Sequence, residues 1–198
     1  YHEYNKVEKA KYLVKLLQEG QNIALVTDAG TPAISDPGVD LVDLCAQNGV
    51  EVVYLSDLVS ESIINQDVKE QLIKELIDDA SITTSRERDI LTDYFRSLDN
   101  KTMIAKMMAG IRKTEIQQAE GKSLGDFLRN LNNDYPFVLD PMPNLYFTRD
   151  PFASIGNGVS IHKMFTETRH RETLFAKFIF EYHPLYKLLK YHCKKTDL

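Results

Sequence analysis

Apolar residues recur along this chain with two periods, and the changes of period mark its elements. Val7, Ala10, Val14 and Leu17 fall at helical spacing. Asn5 is placed to cap that helix, with Glu8 as a capping-box partner, and Gly20 stops the run. Asn22 to Thr27 is a short apolar run of the kind that forms a buried parallel strand. A loop rich in glycine and proline, Asp28 to Gly38, follows. A helix is then predicted from Val39 to Gln47, ended by Gly49, and a strand from Val50 to Leu55. Helix, strand, loop, helix and strand in that order begin a parallel α/β layer.

From Asp57 to about Asn132 the period is helical throughout. Leu72, Ile73, Leu76 and Ile77 share one face, as do Ile90, Leu91, Tyr94, Phe95 and Leu98, with Asp99 or Asn100 as the next cap. Ile104, Met107, Met108 and Ile111 predict a shorter helix whose methionines fill core space. Ser123 to Asp126 opens another, with Phe127, Leu128 and Leu131 on its apolar side. Pro141 and Pro143 disfavour helix before them and bring the chain in extended. Leu145 to Thr148 are good strand formers, and Pro151 breaks pairing after Arg149 and Asp150. Phe152 to Ile155 and Val159 to Met164 predict two strands joined at Asn157-Gly158, a strong hairpin signal. Arg171 to Tyr182 is a helix with Leu174, Phe175, Phe178, Ile179 and Tyr182 on one stripe, stopped by Pro184. Leu185 to Leu198 reads as a short basic amphipathic helix, able to touch a membrane surface, or as an unrelated tail with a frayed terminus.

Composition narrows the classes. The chain has 198 residues, 43% hydrophobic and 27% charged, room for one substantial domain or two small ones. A net charge of −5 argues against nucleic-acid binding driven by bulk charge. No run approaches the ~18 apolar residues of a membrane span. Cys45 and Cys193 make no disulfide framework, which suits a reducing cytoplasm, and His162, His170 and His183 lack metal-ligand spacing. A start at Tyr1 is expected of a fragment or a processed product.

The charged pair Arg149-Asp150 sits at a strand end beside a break, where sites tend to form. Phe147-Thr148-Arg149-Asp150-Pro151-Phe152, the hairpin after it, and Thr168-Arg169-His170-Arg171-Glu172-Thr173 together resemble arginine deiminases, in register over roughly residues 50 to 184. The first quarter does not share this likeness. Tyr1-His2-Glu3 and Val26 to Gly38 are instead similar to the ribosomal-RNA ribose 2′-O-methyltransferases of the tetrapyrrole-methylase family. The two likenesses meet within Asn48 to Leu55, so the chain reads as a chimera.

The deiminase resemblance implies a site for a planar cationic guanidinium. Asp150 aligns with the carboxylate that holds it, since two coplanar oxygens match two N–H donors. Asn144 and Arg169 align with residues that grip the substrate α-carboxylate, and Phe147 with one that packs along the substrate. The plainer readings are a structural ion pair or turn cap for Asp150, a core aromatic for Phe147, and a solvated cation clustered with Arg171 for Arg169. Glu172 supports Arg169 or caps the helix that begins beside it. The family's nucleophilic cysteine, its histidine, a second Asp and a Glu lie in segments without a counterpart here, and Cys193 sits in no matching motif. The expectation is an inactive chain. The methyltransferase resemblance implies S-adenosylmethionine beside Thr27, Asp28, Ala29, Gly30 and Thr31, where glycine lets backbone N–H groups approach a ligand; a bare strand-to-helix turn is the alternative.

The expected fold is α/β (α+β): a partial pentein (α/β-propeller) module with an inserted helical bundle, after a short methylase-like segment. The expected divisions are a methyltransferase-like fragment at 1–53, a helical bundle at 54–135, pentein-like strands, hairpin and helix at 136–184, and a tail at 185–198. The expected function is a fragment of an enzyme hydrolysing L-arginine to L-citrulline and ammonia through an amidino-cysteine, needing no cofactor. The alternatives are an S-adenosylmethionine-dependent RNA methyltransferase fragment, the one case with a nucleic-acid partner, and a non-functional chimera. A truncated module leaves sheet edges unpaired, so homo-oligomerisation or aggregation is expected.

Overall fold

The structure, a computed structural model, describes residues 4–23, 38–80, 82, 84–120, 135–145, 150–155, 158–187 and 190–193. They form two compact units. One comprises 1–54 with 146–148, the other 55–145 with 149–198.

In the first unit, α1 (Lys6–Gln18) packs on α2 (Gly38–Gln47) through buried Ala10, Val14, Leu41 and Cys45. Both helices stop as their glycines predict. Gly20 (φ 89°) and Gly49 (φ 66°) take the left-handed conformation that closes a Schellman motif. The amides of Gly49 and Val50 donate to the carbonyls of Ala46 and Cys45, and Val50 packs back on the α1–α2 cluster. Asn5 does not cap α1 with its side chain, contrary to expectation: its ψ of 6° departs from the extended backbone a cap adopts, and its carbonyl accepts from the Lys9 amide.

The strand expected at Val50–Leu55 is also absent. Val50 to Tyr54 join no ladder, Val53 is 51% exposed, and Leu55 already belongs to α3 (Leu55–Ser62). An apolar run becomes a strand only beside a partner, and no described residue supplies one. Asn22 and Ile23 likewise join no ladder, and the rest of that expected strand, 24–27, lies outside the described residues, as does the 28–37 loop.

The second unit is built around a helical core. The helices are α3, α4 (Gln66–Asp78), α5 (Ser85–Ser97), α6 (Asn100–Ala109), α7 (Lys113–Glu120) and α8 (Glu172–Tyr182). The stripes predicted on α4, α5 and α8 are the ones that bury: Leu72, Ile73, Leu76 and Ile77 meet Leu91, Phe95, Leu174, Phe175, Phe178 and Ile179 in one cluster, completed by Met103, Ile104 and Met107. Asp99 caps α6 as expected, accepting from the Thr102 amide at 3.0 Å. Asn65 and Thr84 cap α4 and α5. Glu75 ties α4 to Lys177 of α8 at 2.6 Å. The helix expected over 123–131 lies outside the described residues.

Ile111 departs from its expected helix. Gly110 turns the chain at φ 76°, and Ile111 buries on β1 (Ile111–Arg112), antiparallel to β2 (Phe137–Leu139). A β-carbon on Gly110 would stand 2.6 Å from the Pro141 nitrogen and 2.7 Å from the Leu139 carbonyl oxygen, so the β2 backbone fits against this residue only because it is glycine.

The hairpin forms in the expected place. β3 (Phe152–Ile155) pairs antiparallel with β4 (Gly158–Ile161), Phe152 opposite Ile161 and Ile155 opposite Gly158. β5 (Lys190–Cys193) then pairs parallel with β4. This corrects the helical reading of the tail: Lys190–Cys193 is a strand, because the free side of β4 offers backbone partners that an isolated helix of that length lacks, while 194–198 lie outside the described residues. β4, α8 and β5 make a β–α–β crossover, the unit that parallel pairing requires. α8 serves two cores at once. Its Phe175 and Phe178 face the helices, while Ala176 and Phe180 meet Val159, Ile161 and Phe152 of the sheet. Among the described residues no helix is long and apolar enough to cross a membrane.

Candidate functional site

Residues on three elements of the second unit converge at the foot of α8. Asp150 begins the turn that enters β3. Its carbonyl lies 2.8 Å from Nδ1 of His162, and the His162 amide donates to the Pro151 carbonyl at 2.9 Å, so the end of β4 pins this turn. Arg169 closes a short 3₁₀ turn, Glu167–Arg169, that delivers the chain to α8. Glu172 is the first residue of α8, where the helix N-terminus favours a negative charge.

Arg169 joins the two carboxylates. Its Nε donates to Oε2 of Glu172 at 2.8 Å, and its Nη1 donates to Oδ2 of Asp150 at 3.0 Å. Its Nη2 is also 2.8 Å from Glu172 Oε2, near enough for an ion pair, yet this buried nitrogen has no hydrogen-bond partner among the described residues, and neither has Glu172 Oε1. Exposure grades across the cluster. The Glu172 side chain is 0% exposed, that of Arg169 20%, and that of Asp150 47%. Burial works against the Arg169 charge, but its hydrogen bonds to Glu172 and Asp150 outweigh it and hold the guanidinium above its ordinary range. Fixed at its Nε edge by a carboxylate sealed from water, Arg169 presents the Nη1 edge outward, and Asp150 is the carboxylate that solutes can reach.

The structure thus brings together Asp150 and Arg169, which the sequence places 19 residues apart. Asn144 lies half-buried on the Pro143–Leu145 turn of the same unit and makes no side-chain hydrogen bond to either among the described residues. Phe147, Thr27, Asp28, Ala29, Gly30 and Thr31 lie outside the described residues, so the S-adenosylmethionine loop has no geometry to weigh. Of the two readings of Glu172, the ion pair with Arg169 is the one observed. Its complete burial was the feature missed; the only signal was an Arg-x-x-Glu spacing across a helix start, which places both side chains on one face.

The plainer reading of Arg169, a solvated cation clustered with Arg171, does not fit the surroundings of Arg171. Arg171 is buried, and its Nη1 donates to the Asp140 carbonyl at 2.9 Å. Burial pushes its guanidinium below the ordinary range, against the opposing pull of Asp140 and Asp79. Arg171 lines a cavity of about 320 Å³ with Asp79, Tyr135, Asp140 and Glu167. Cys45 is buried in the first unit, where burial pushes its thiol up, away from the thiolate a nucleophile needs. Among the described residues no three His, Cys, Asp or Glu side chains converge as metal ligands.

The second unit is therefore an α/β module that presents an arginine between a sealed and an open carboxylate. The chain belongs to the arginine deiminase family, whose pattern it matches over residues 39–196. That match reaches further than residues 50–184 on both sides and takes in β5. An arginine deiminase of Clostridium perfringens is 53% identical over 141 residues, 70% of this chain and 33% of that protein. One of Borrelia duttonii is 48% identical over 146 residues, 73% of this chain and 35% of the relative. One of Streptococcus pneumoniae is 46% identical over 141 residues, 70% and 34% respectively. The chain spans about a third of the length of the curated relatives it matches.

Proposed function

We propose that this chain is the arginine-holding part of an arginine deiminase. In that reading Asp150 holds the guanidinium of L-arginine, Asn144 and Arg169 grip its α-carboxylate, and Phe147 packs along its aliphatic stem. The complete enzyme would hydrolyse L-arginine to L-citrulline and ammonia through an amidino-cysteine, and the β–α–β unit would be one module of a pentein ring. These 198 residues alone would bind arginine and not turn it over.

The observation that carries the reading is the pairing of Asp150 with a guanidinium at 3.0 Å: this carboxylate already accepts from the group it is proposed to bind, and it is open to solvent. Family membership supplies the substrate class. A free, buried thiol at Cys45 suits a cytoplasmic protein.

Calorimetric titration with L-arginine, with S-adenosylmethionine as the parallel ligand, tests the reading. Binding of arginine that disappears in Asp150→Ala is the expected result. Heat with S-adenosylmethionine alone, or with neither ligand, overturns it. Citrulline formation by the chain alone would overturn the claim that it binds without turnover.

A further inference from the structure

Resting on that reading of the site, we propose that Arg169 and Asp150 form a closed internal ion pair which a ligand opens by exchange, its guanidinium taking Asp150 and its carboxylate taking Arg169, so that the site selects ligands carrying both charges. The geometry points there. A ligand guanidinium gripping both oxygens of Asp150 competes with Arg169 Nη1 for Oδ2, and a ligand carboxylate competes with Asp150 for the Nη1 edge of Arg169.

Either end alone exchanges badly. A simple guanidinium would leave Arg169 Nη1 without its carboxylate; a simple carboxylate would leave Asp150 without its cation. A ligand with both groups replaces both halves of the broken pair. Glu172, whose carboxylate is closed to water, anchors Arg169 by Nε, and because the guanidinium is one rigid plane the exchange moves the exposed Asp150 side chain rather than the arginine. Arg169 thus acts as an occupant of the guanidinium position until a two-ended ligand arrives.

The test uses methylguanidinium, which carries the cation and no carboxylate. Its binding is measured by calorimetry on the unmodified chain, on Arg169→Ala and on Arg169→Ala/Glu172→Gln; the double variant removes both buried charges so that neither is stranded, and a cooperative melt checks folding. The expected result is a gain of roughly tenfold or more over the unmodified chain once Arg169 is gone, in line with the loss of a charge-assisted competitor, and its abolition when Asp150→Ala is added. Equal binding with and without Arg169, or a gain that survives Asp150→Ala, overturns the proposal.

A second measurement needs no change at Arg169. In Asp150→Ala, an exposed substitution, the Nη protons of Arg169 should exchange with water several-fold faster by NMR; unchanged exchange also overturns it. Failure of the functional reading is seen separately. If the unmodified chain binds L-arginine and the methylguanidinium gain is missing, only the exchange is wrong. If the gain is present and L-arginine does not bind, Arg169 does compete for Asp150, but the functional reading falls and the two-ended exchange falls with it.

Discussion

Glu172 carries a charge that no water reaches, and that makes it the most sensitive residue of the cluster. Removing one partner of a buried pair strands the other, at about 3 kcal/mol or more. Glu172→Ala is therefore expected to lower stability by that amount in urea unfolding, whereas Asp150→Ala, whose carboxylate is 47% exposed, should stay within about 1 kcal/mol of the parent. Equal costs would show that the gradient of burial has no energetic counterpart. Asp79 offers a pH test. Burial raises its carboxyl above the ordinary range, partly opposed by His170. A raised folded-state value means that the native form binds its proton more tightly, so Asp79 destabilises the fold at neutral pH and less as pH falls through its folded range. Asp79→Asn should raise the melting temperature at neutral pH and lose that gain in acid. Asp150 and Arg169 stand out in the sequence as candidates because they lie in a dense motif. Their bond to each other does not, since nothing in a linear pattern says that residues 19 apart meet across a hairpin.

Among the elements, the helices were readable because their packing depends on a stripe that the sequence itself displays: Leu72 to Ile77 and Leu174 to Ile179 bury where their spacing says. Strands were readable only at the hairpin, where both partners are near in sequence. Val50 to Tyr54 looked like a strand and has no partner, and Lys190 to Cys193 looked like anything else and has one. Ile111 failed for a third reason. Its spacing continues the α6 stripe, but Gly110 breaks the helix first, and the same burial is reached from β1. Gly110→Ala should cost about 3 kcal/mol, combining positive-φ strain with a backbone collision, and the loss should appear as a lowered urea midpoint. Acid should act on the helix caps and cross-ties. Glu70 is held low by Arg96, and Asp99 by the hydroxyl and amide of Thr102. Their stabilisation is present above the unfolded carboxylate range and is lost as pH falls through the folded values.

For the molecule as a whole, the two units differ in what holds them. The cluster between α1 and α2 has four buried side chains among the described residues, while the core around α8 draws on every helix from α3 to α8 and on both sheets. Among the described residues, the α1–α2 cluster buries far less apolar surface to offset the ordering of its helices than the core around α8 does. The amides of α1 and α2 should therefore exchange with deuterium faster than those of α4 and α8. The sheet raises a different question. β3 pairs with β4 and, among the described residues, on that side only, and it carries Ile155 at 67% exposure. An apolar outer strand is a template for pairing with another chain, and a lysine there removes the apolar contact and adds repulsion between copies. Sedimentation velocity should show association that rises with concentration in the parent chain and falls in Ile155→Lys, with the melt unchanged because Ile155 buries little. A monodisperse parent would mean that the outer strand is already protected. Association that persists in Ile155→Lys would move the self-contact to another surface.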